Sequence, residues 1–119
     1  IEVVEHDPGW RGVFDAMRLR LAESLGLLAL RIEHIGSTAV PGLPAKPVVD
    51  IQVSVPDVDD TEAYREPIER HGFVLRFIEA GHRYFRPRPG REASHLCGRL
   101  FLAQWARFRA PLRESAVKQ

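Results

Sequence analysis

A chain of 119 residues has room for one domain and one core, and is too short for two domains of ordinary size. Its 45 % hydrophobic and 28 % charged residues fit a globular protein, and no apolar run approaches the roughly 20 residues a membrane-spanning helix needs, which excludes that class. The formal net charge of +1 hides an asymmetry: residues 1–82 carry 8 Lys/Arg against 14 Asp/Glu, and residues 83–119 carry 9 against 2, so the basic end either attracts an anionic partner or neutralises the acidic part of the same chain.

The chain opens with Ile and shows no basic-then-apolar leader, which reads as a trimmed chain without a secretory signal and points to the cytoplasm. Asp7 stands where a helix cap belongs, with Pro8 at the first helical position. Trp10, Val13, Phe14, Met17, Leu21 and Leu25 then recur at helical spacing, and Gly26 supplies a stop. "LALRIEHIG" predicts a strand ending at Gly36. "PVVDIQVSV" predicts a second, with Val49, Ile51, Val53 and Val55 on one face and Val48, Asp50, Gln52 and Ser54 on the other.

Asp59 or Asp60 caps a short helix that runs through Ile68 and ends at Gly72. The acidic cluster there lacks the glycine and terminal glutamate of a calcium loop. "FVLRFIEAGHRYFRPRPG" predicts two strands joined around Ala80 and Gly81, the second halted by Pro87 and Pro89. "SHLCGRL" predicts a last strand, and "FLAQWARFRAPLRESAV" a closing helix with Phe101, Trp105, Phe108 and Leu112 on one side, bent or ended by Pro111. The order of elements implies an α+β design, a mixed sheet covered by helices.

The segment between the first two strands carries most of the chemistry. A Gly36–Ser37 bend at a strand end, opposite Asp50 on the next strand, suits a phosphate: glycine permits close backbone approach, Ser37 and Thr38 offer hydroxyl donors, and Asp50 can take a divalent ion. Pro41, Pro44 and Pro47 stiffen the loop, and Lys46 adds a movable cation. Asp50 can equally serve to hold the loop's own N–H groups. His34 can pair with Asp50 as an acid–base dyad or merely orient the loop. Ser37 lacks the G-x-S-x-G context of a hydrolase nucleophile, and "GLPAKP" is not a P-loop. In "HRYFRPRPGR", strand alternation puts Arg83 with Phe85 and Tyr84 with Arg86. Arg83 is the candidate anion contact; a solvated hairpin is the plainer alternative. Cys97 reads as a small core residue.

"HIGSTAVPGLPAKPVVDI" closely resembles the signature of the GrpB family, whose members look like nucleotidyltransferases, and the likeness extends to "VVEHDPGW", "GHRYFRP" and "SHLCGRL". The resemblance implies one nucleotidyltransferase-like domain over residues 1–119, with further C-terminal helix in longer relatives. It implies a nucleotide or phosphorylated small molecule as ligand, held by Gly36, Ser37, Thr38, Lys46 and Arg83. Mg or Mn would bind at Asp50 and Gln52, and Asp50 and His95 would be the catalytic pair. In the superfamily a D-x-D pair and a third carboxylate hold two magnesium ions. Here the second position is Gln52, a neutral ligand, and the last strand offers His95 and Cys97. Such a mixed set suits a transition metal better than two magnesium ions. Metal-assisted nucleotidyl transfer and a non-catalytic nucleotide-, phosphate- or RNA-binding module with a degenerate site are the two functional expectations.

Overall fold

The computed structural model describes residues 2–89 and 97–105, with the side chain of Cys97 excepted. Helix α1 (Gly9–Leu25) begins where the sequence predicts, because the Asp7 carboxylate accepts the Gly9 N–H at 2.8 Å and Pro8 already has helical dihedrals. Trp10, Phe14, Met17, Leu21 and Leu25 form its buried stripe. Gly26, at φ 57°, closes the helix into a short 3-10 turn over Gly26–Leu28.

Strands β1 (Arg31–Ile35) and β2 (Val49–Val55) are antiparallel neighbours, separated by a single 3-10 turn at Ser37–Ala39 and the proline-rich return loop. Val4 and Ala45 exchange both backbone hydrogen bonds, at 2.9 Å each, which pins that loop to the N-terminal segment. Val49, Ile51, Val53 and Val55 are all buried towards the helices. Burying each such side chain is worth about 1.5–3 kcal/mol before entropy is subtracted.

Helix α2 (Thr61–Glu69) follows, with Asp60 at its cap position, although no side-chain capping bond forms there. Asp59 turns instead to Arg83. Gly72, at φ 96°, carries the chain into β3 (Phe73–Glu79), which turns back at Ala80–Gly81 into β4 (His82–Pro87). Strand β5 (Cys97–Gln104) runs parallel to β2 and antiparallel to β4, giving the mixed sheet order β1-β2-β5-β4-β3.

One element differs from the sequence reading. Phe101–Gln104 are strand, not the start of the closing helix, Trp105 follows with its N–H on the Val55 carbonyl, and the predicted helix beyond it lies outside the described residues. The spacing of Phe101 and Trp105 imitates a helical stripe, but Leu100 and Leu102 are fully buried with period 2 between β2 and β4, and the ladder partners on both sides decide the conformation. Both helices pack on the face bearing Val49–Val55. The opposite face carries Asp50, Gln52, Tyr84 and Phe101.

Candidate functional site

The bend after β1 and the acidic residue of β2 do meet. Gly36 adopts φ 81°, a conformation that favours glycine, and a Cβ placed there would lie 3.0 Å from Asp50 Oδ2. Strand register explains the meeting: Ile35 is the ladder partner of Asp50, so the first residue beyond β1 arrives over the Asp50 side chain. The 3-10 turn bonds its Ala39 and Val40 N–H groups back to Gly36 and Ser37, leaving the N–H groups of Ser37 and Thr38 outside those two bonds. Ser37 is exposed at the mouth of this bend.

Asp50 is also held by a residue the sequence reading passed over. Arg99 on β5 donates from Nε to Oδ1 at 3.1 Å and from Nη2 to Oδ2 at 2.7 Å, a forked ion pair in which the Asp50 side chain is 10 % exposed and that of Arg99 is 45 % exposed. The Asp50 carboxylate raises the pKa of the guanidinium further above its already high value. A signal for Arg99 existed, since it lies two residues beyond Cys97 in the predicted last strand. The irregularity that sets Cys97 opposite Val49 and Arg99 opposite Asp50 did not. Gly98 occupies that irregularity, where a Cβ would collide with the Val48 side chain.

Two residues expected at the site are committed elsewhere. Arg83 projects from the helix-covered face, opposite Asp50, and is 6 % exposed. Its guanidinium bonds Thr61 Oγ1 at 3.1 Å, the Glu79 and His82 carbonyls at 3.0 and 2.9 Å, and Asp59 Oδ1 at 3.2 Å. A buried charge needs such a cage, and alternation with the fully buried Phe85 puts it there. Thr38 is buried as well: its hydroxyl donates to the Val48 carbonyl at 2.9 Å and accepts from His34 Nε2 at 2.9 Å, so it bolts the bend to the return loop.

His34 takes the structural one of its two roles. Its ring stacks on Phe14 at 5.1 Å on the helix face, whereas Asp50 leaves the adjacent strand on the other face. Desolvation first, and then the charge of Arg11, lower its pKa and favour the neutral imidazole that the bond to Thr38 uses. Lys46 is exposed in the return loop and makes no ion pair among the described residues. Gln52 sits on the Asp50 face, half-buried. His95 lies outside the described residues. Two further arginines of "HRYFRPRPGR" are engaged: Arg86 bonds the Tyr84 hydroxyl at 3.0 Å, and Arg88 bonds the Glu69 carbonyl at 3.2 Å.

The donor set can be weighed against a metal centre. Both Asp50 oxygens carry Arg99 nitrogens, Gln52 is neutral, and no group of three or more His, Cys, Asp or Glu side chains able to hold an ion occurs among the described residues. These residues do not make the carboxylate set that a two-magnesium centre requires.

With the bend, the acidic strand and the mixed sheet in place, comparison with known proteins decides the family. The GrpB protein family matches residues 1–116. The chain belongs to the GrpB family. A UPF0157 protein of Halalkalibacterium halodurans is 43 % identical over 89 residues, covering 72 % of this chain and 46 % of that relative. The chain spans about half the length of two of the curated relatives it matches. A crystal structure of GrpB from Enterococcus faecalis superposes with a TM-score of 0.77 at 31 % identity, covering 94 % of this chain and 67 % of that one. The Cid1 poly(U) polymerase with MgGTP bound superposes with a TM-score of 0.56 at 18 % identity over 98 % of this chain and 39 % of its own. At that identity the likeness is one of fold: this GrpB chain has a nucleotidyltransferase-like fold. No helix among the described residues is long and apolar enough to cross a membrane.

Proposed function

We propose that this GrpB domain binds a nucleotide or another phosphorylated small molecule, with the phosphate seated at the Gly36–Ser37 bend beside Arg99. The observation that carries the reading is the forked Arg99–Asp50 pair against the bend. It sets a permanent cation, nearly half exposed, next to a backbone that only glycine lets approach so closely. Asp50 aims the guanidinium, and the Ser37 hydroxyl and the leading N–H groups of the turn supply neutral donors. Lys46, exposed on the return loop, is a further candidate cation for the same phosphate. The ligand is bound without being transformed, because Gln52 and an arginine-paired Asp50 leave little carboxylate charge for a metal.

A second reading, metal-assisted nucleotidyl transfer, draws support from the fold shared with Cid1 and from the apposition of Gly36 and Asp50. In that case Asp50 and Gln52 would hold Mg or Mn, which would supply charge stabilisation to the transferred phosphate, and His95 would be the catalytic partner. The cytoplasm is the compartment in which both readings put the protein.

Incubation with labelled nucleoside triphosphates and Mg or Mn ions separates the two. Saturable binding without release of pyrophosphate is the expected result. Pyrophosphate release that disappears in Asp50→Ala would establish transfer, and no binding under any condition would reject both readings.

A further inference from the structure

On the face of the sheet away from the helices, β3, β4 and β5 each contribute one ring to a continuous row. Phe77 stacks on Tyr84 at 5.5 Å and 23°, and Tyr84 stacks on Phe101 at 5.2 Å and 29°. The ladder forces this arrangement, since Phe77 is the partner of Tyr84 and Tyr84 the partner of Phe101. Apolar packing alone accounts poorly for it, because Phe77 is 59 % exposed. Two cations meet the row: the Arg86 guanidinium lies 5.5 Å from the Tyr84 ring centre, and that of Arg99 lies 5.7 Å from Phe101. Beside the rings is a hollow of about 440 Å³, lined by Phe77, Tyr84, Phe101 and Arg99, with Glu79, His82 and Arg83 at the hairpin end of β3 and β4. That volume is in the range of small-ligand sites, which run from about 300 to 1,000 Å³.

Arg99 joins this hollow to the bend, with its nitrogens on Asp50 and its carbon over Phe101. We infer that the hollow receives the base of a mononucleotide, laid against the Phe77–Tyr84–Phe101 row with its phosphate directed towards Arg99. The inference rests on the phosphate reading above and adds the part of the ligand that reading leaves unspecified. The chemistry matches on each side: aromatic rings offer a π-surface to any base, Glu79 and His82 offer an acceptor and a ring nitrogen to its polar edge, and Arg99 neutralises the phosphate. A purely apolar occupant would leave Glu79, His82 and Arg99 without use, and a bare phosphate would leave the three rings without use.

The test titrates the full 119-residue chain by calorimetry with cytidine monophosphate, ribose 5-phosphate and cytidine. Cytidine monophosphate is expected to bind at least about tenfold more tightly than ribose 5-phosphate, in line with what stacking of one base contributes. Phe77→Ser, at an exposed position away from Arg99's partners, is expected to bring the nucleotide down towards the affinity of ribose 5-phosphate while leaving ribose 5-phosphate itself unchanged, and Tyr84→Leu, which removes a hydroxyl that also bonds Arg99, is expected to weaken the nucleotide at least as much. Equal affinity of nucleotide and ribose 5-phosphate in the unmodified chain overturns the base site and leaves the phosphate reading standing. Binding of cytidine without binding of ribose 5-phosphate upholds the base site and removes the phosphate reading. Nucleotide affinity unmoved by both substitutions, or binding of single-stranded oligonucleotides with none of mononucleotides, overturns the inference.

Discussion

Arg99 and Asp50 face each other across the parallel β2–β5 pair, joined by two hydrogen bonds, with the carboxylate nearly buried and the guanidinium nearly half in water. The unequal exposure makes the pair asymmetric in its response to mutation. Arg99→Gln strands a carboxylate that has few other partners and should cost about 2–4 kcal/mol, whereas Asp50→Asn leaves a guanidinium that water can solvate and should cost less. The double substitution should recover a good part of the Arg99→Gln loss. Urea unfolding of the four proteins measures the cycle, and strictly additive effects would show that the pair contributes nothing jointly. Both single variants should weaken phosphate binding more than tenfold, Arg99→Gln by losing the cation and Asp50→Asn by losing its aim.

Glycines around this pair should differ in a definite order. Gly42, at φ 80°, has open space where a Cβ would go, so Gly42→Ala should cost only backbone strain of about 1 kcal/mol. Gly36→Ala adds a 3.0 Å approach to Asp50 Oδ2 and should cost more, with loss of ligand binding. Gly98→Ala drives a methyl into Val48 between two central strands and should be the most damaging. Thermal midpoints of the three variants give the ranking, and a Gly36→Ala protein as stable as Gly42→Ala would contradict the close fit.

Arg83 should matter first for stability. Arg83→Ala removes a caged guanidinium and leaves Thr61 Oγ1 and two carbonyls without their donor, a loss of about 2–4 kcal/mol. Nucleotide affinity, measured below the variant's unfolding temperature, should fall less than in Arg99→Gln, because Arg83 borders the hollow while its guanidinium is held on the other face. A selective loss of binding with unchanged stability would return Arg83 to the site.

Two histidines link stability to pH. His71 Nε2 bonds Ser24 Oγ at 2.5 Å across the α1 and α2 ends, and its pKa is lowered by desolvation first and then by Arg70 and Arg20. His34 is lowered by desolvation first and then by Arg11. A folded-state pKa below the unfolded value of about 6.5 means that the unfolded chain takes up protons first as pH falls. Stability from these groups is therefore fully present above about pH 6.5 and is lost as pH drops through their folded pKa values. Melting curves from pH 8 to 5 should show this decline, and His34→Gln with His71→Gln should flatten it. A slope unaffected by the double substitution would place the titration elsewhere.

The elements before β5 were legible because local signals agreed with the packing. Asp7–Pro8 announced α1, the alternation of Val49 to Val55 announced β2 and its buried face, and Gly36 with Asp50 announced a place where backbone meets carboxylate. The cage around Arg83 was not legible, because alternation says which residues share a face without saying which face the helices cover. In this protein the covered face is the one bearing Phe85.

Residue order by itself determined the helices, most of the strands, the bend and the GrpB likeness, since each depends on neighbours within a few positions along the chain. Only the tertiary structure decided that Arg99, 49 residues from Asp50, closes on its carboxylate, and that Phe77, Tyr84 and Phe101 line up across three strands. Those meetings depend on ladder register, which one irregularity between Cys97 and Arg99 and another between Leu75 and Phe77 each shift by one residue. A shift of that size exchanges the faces of a strand, and no local pattern encodes it.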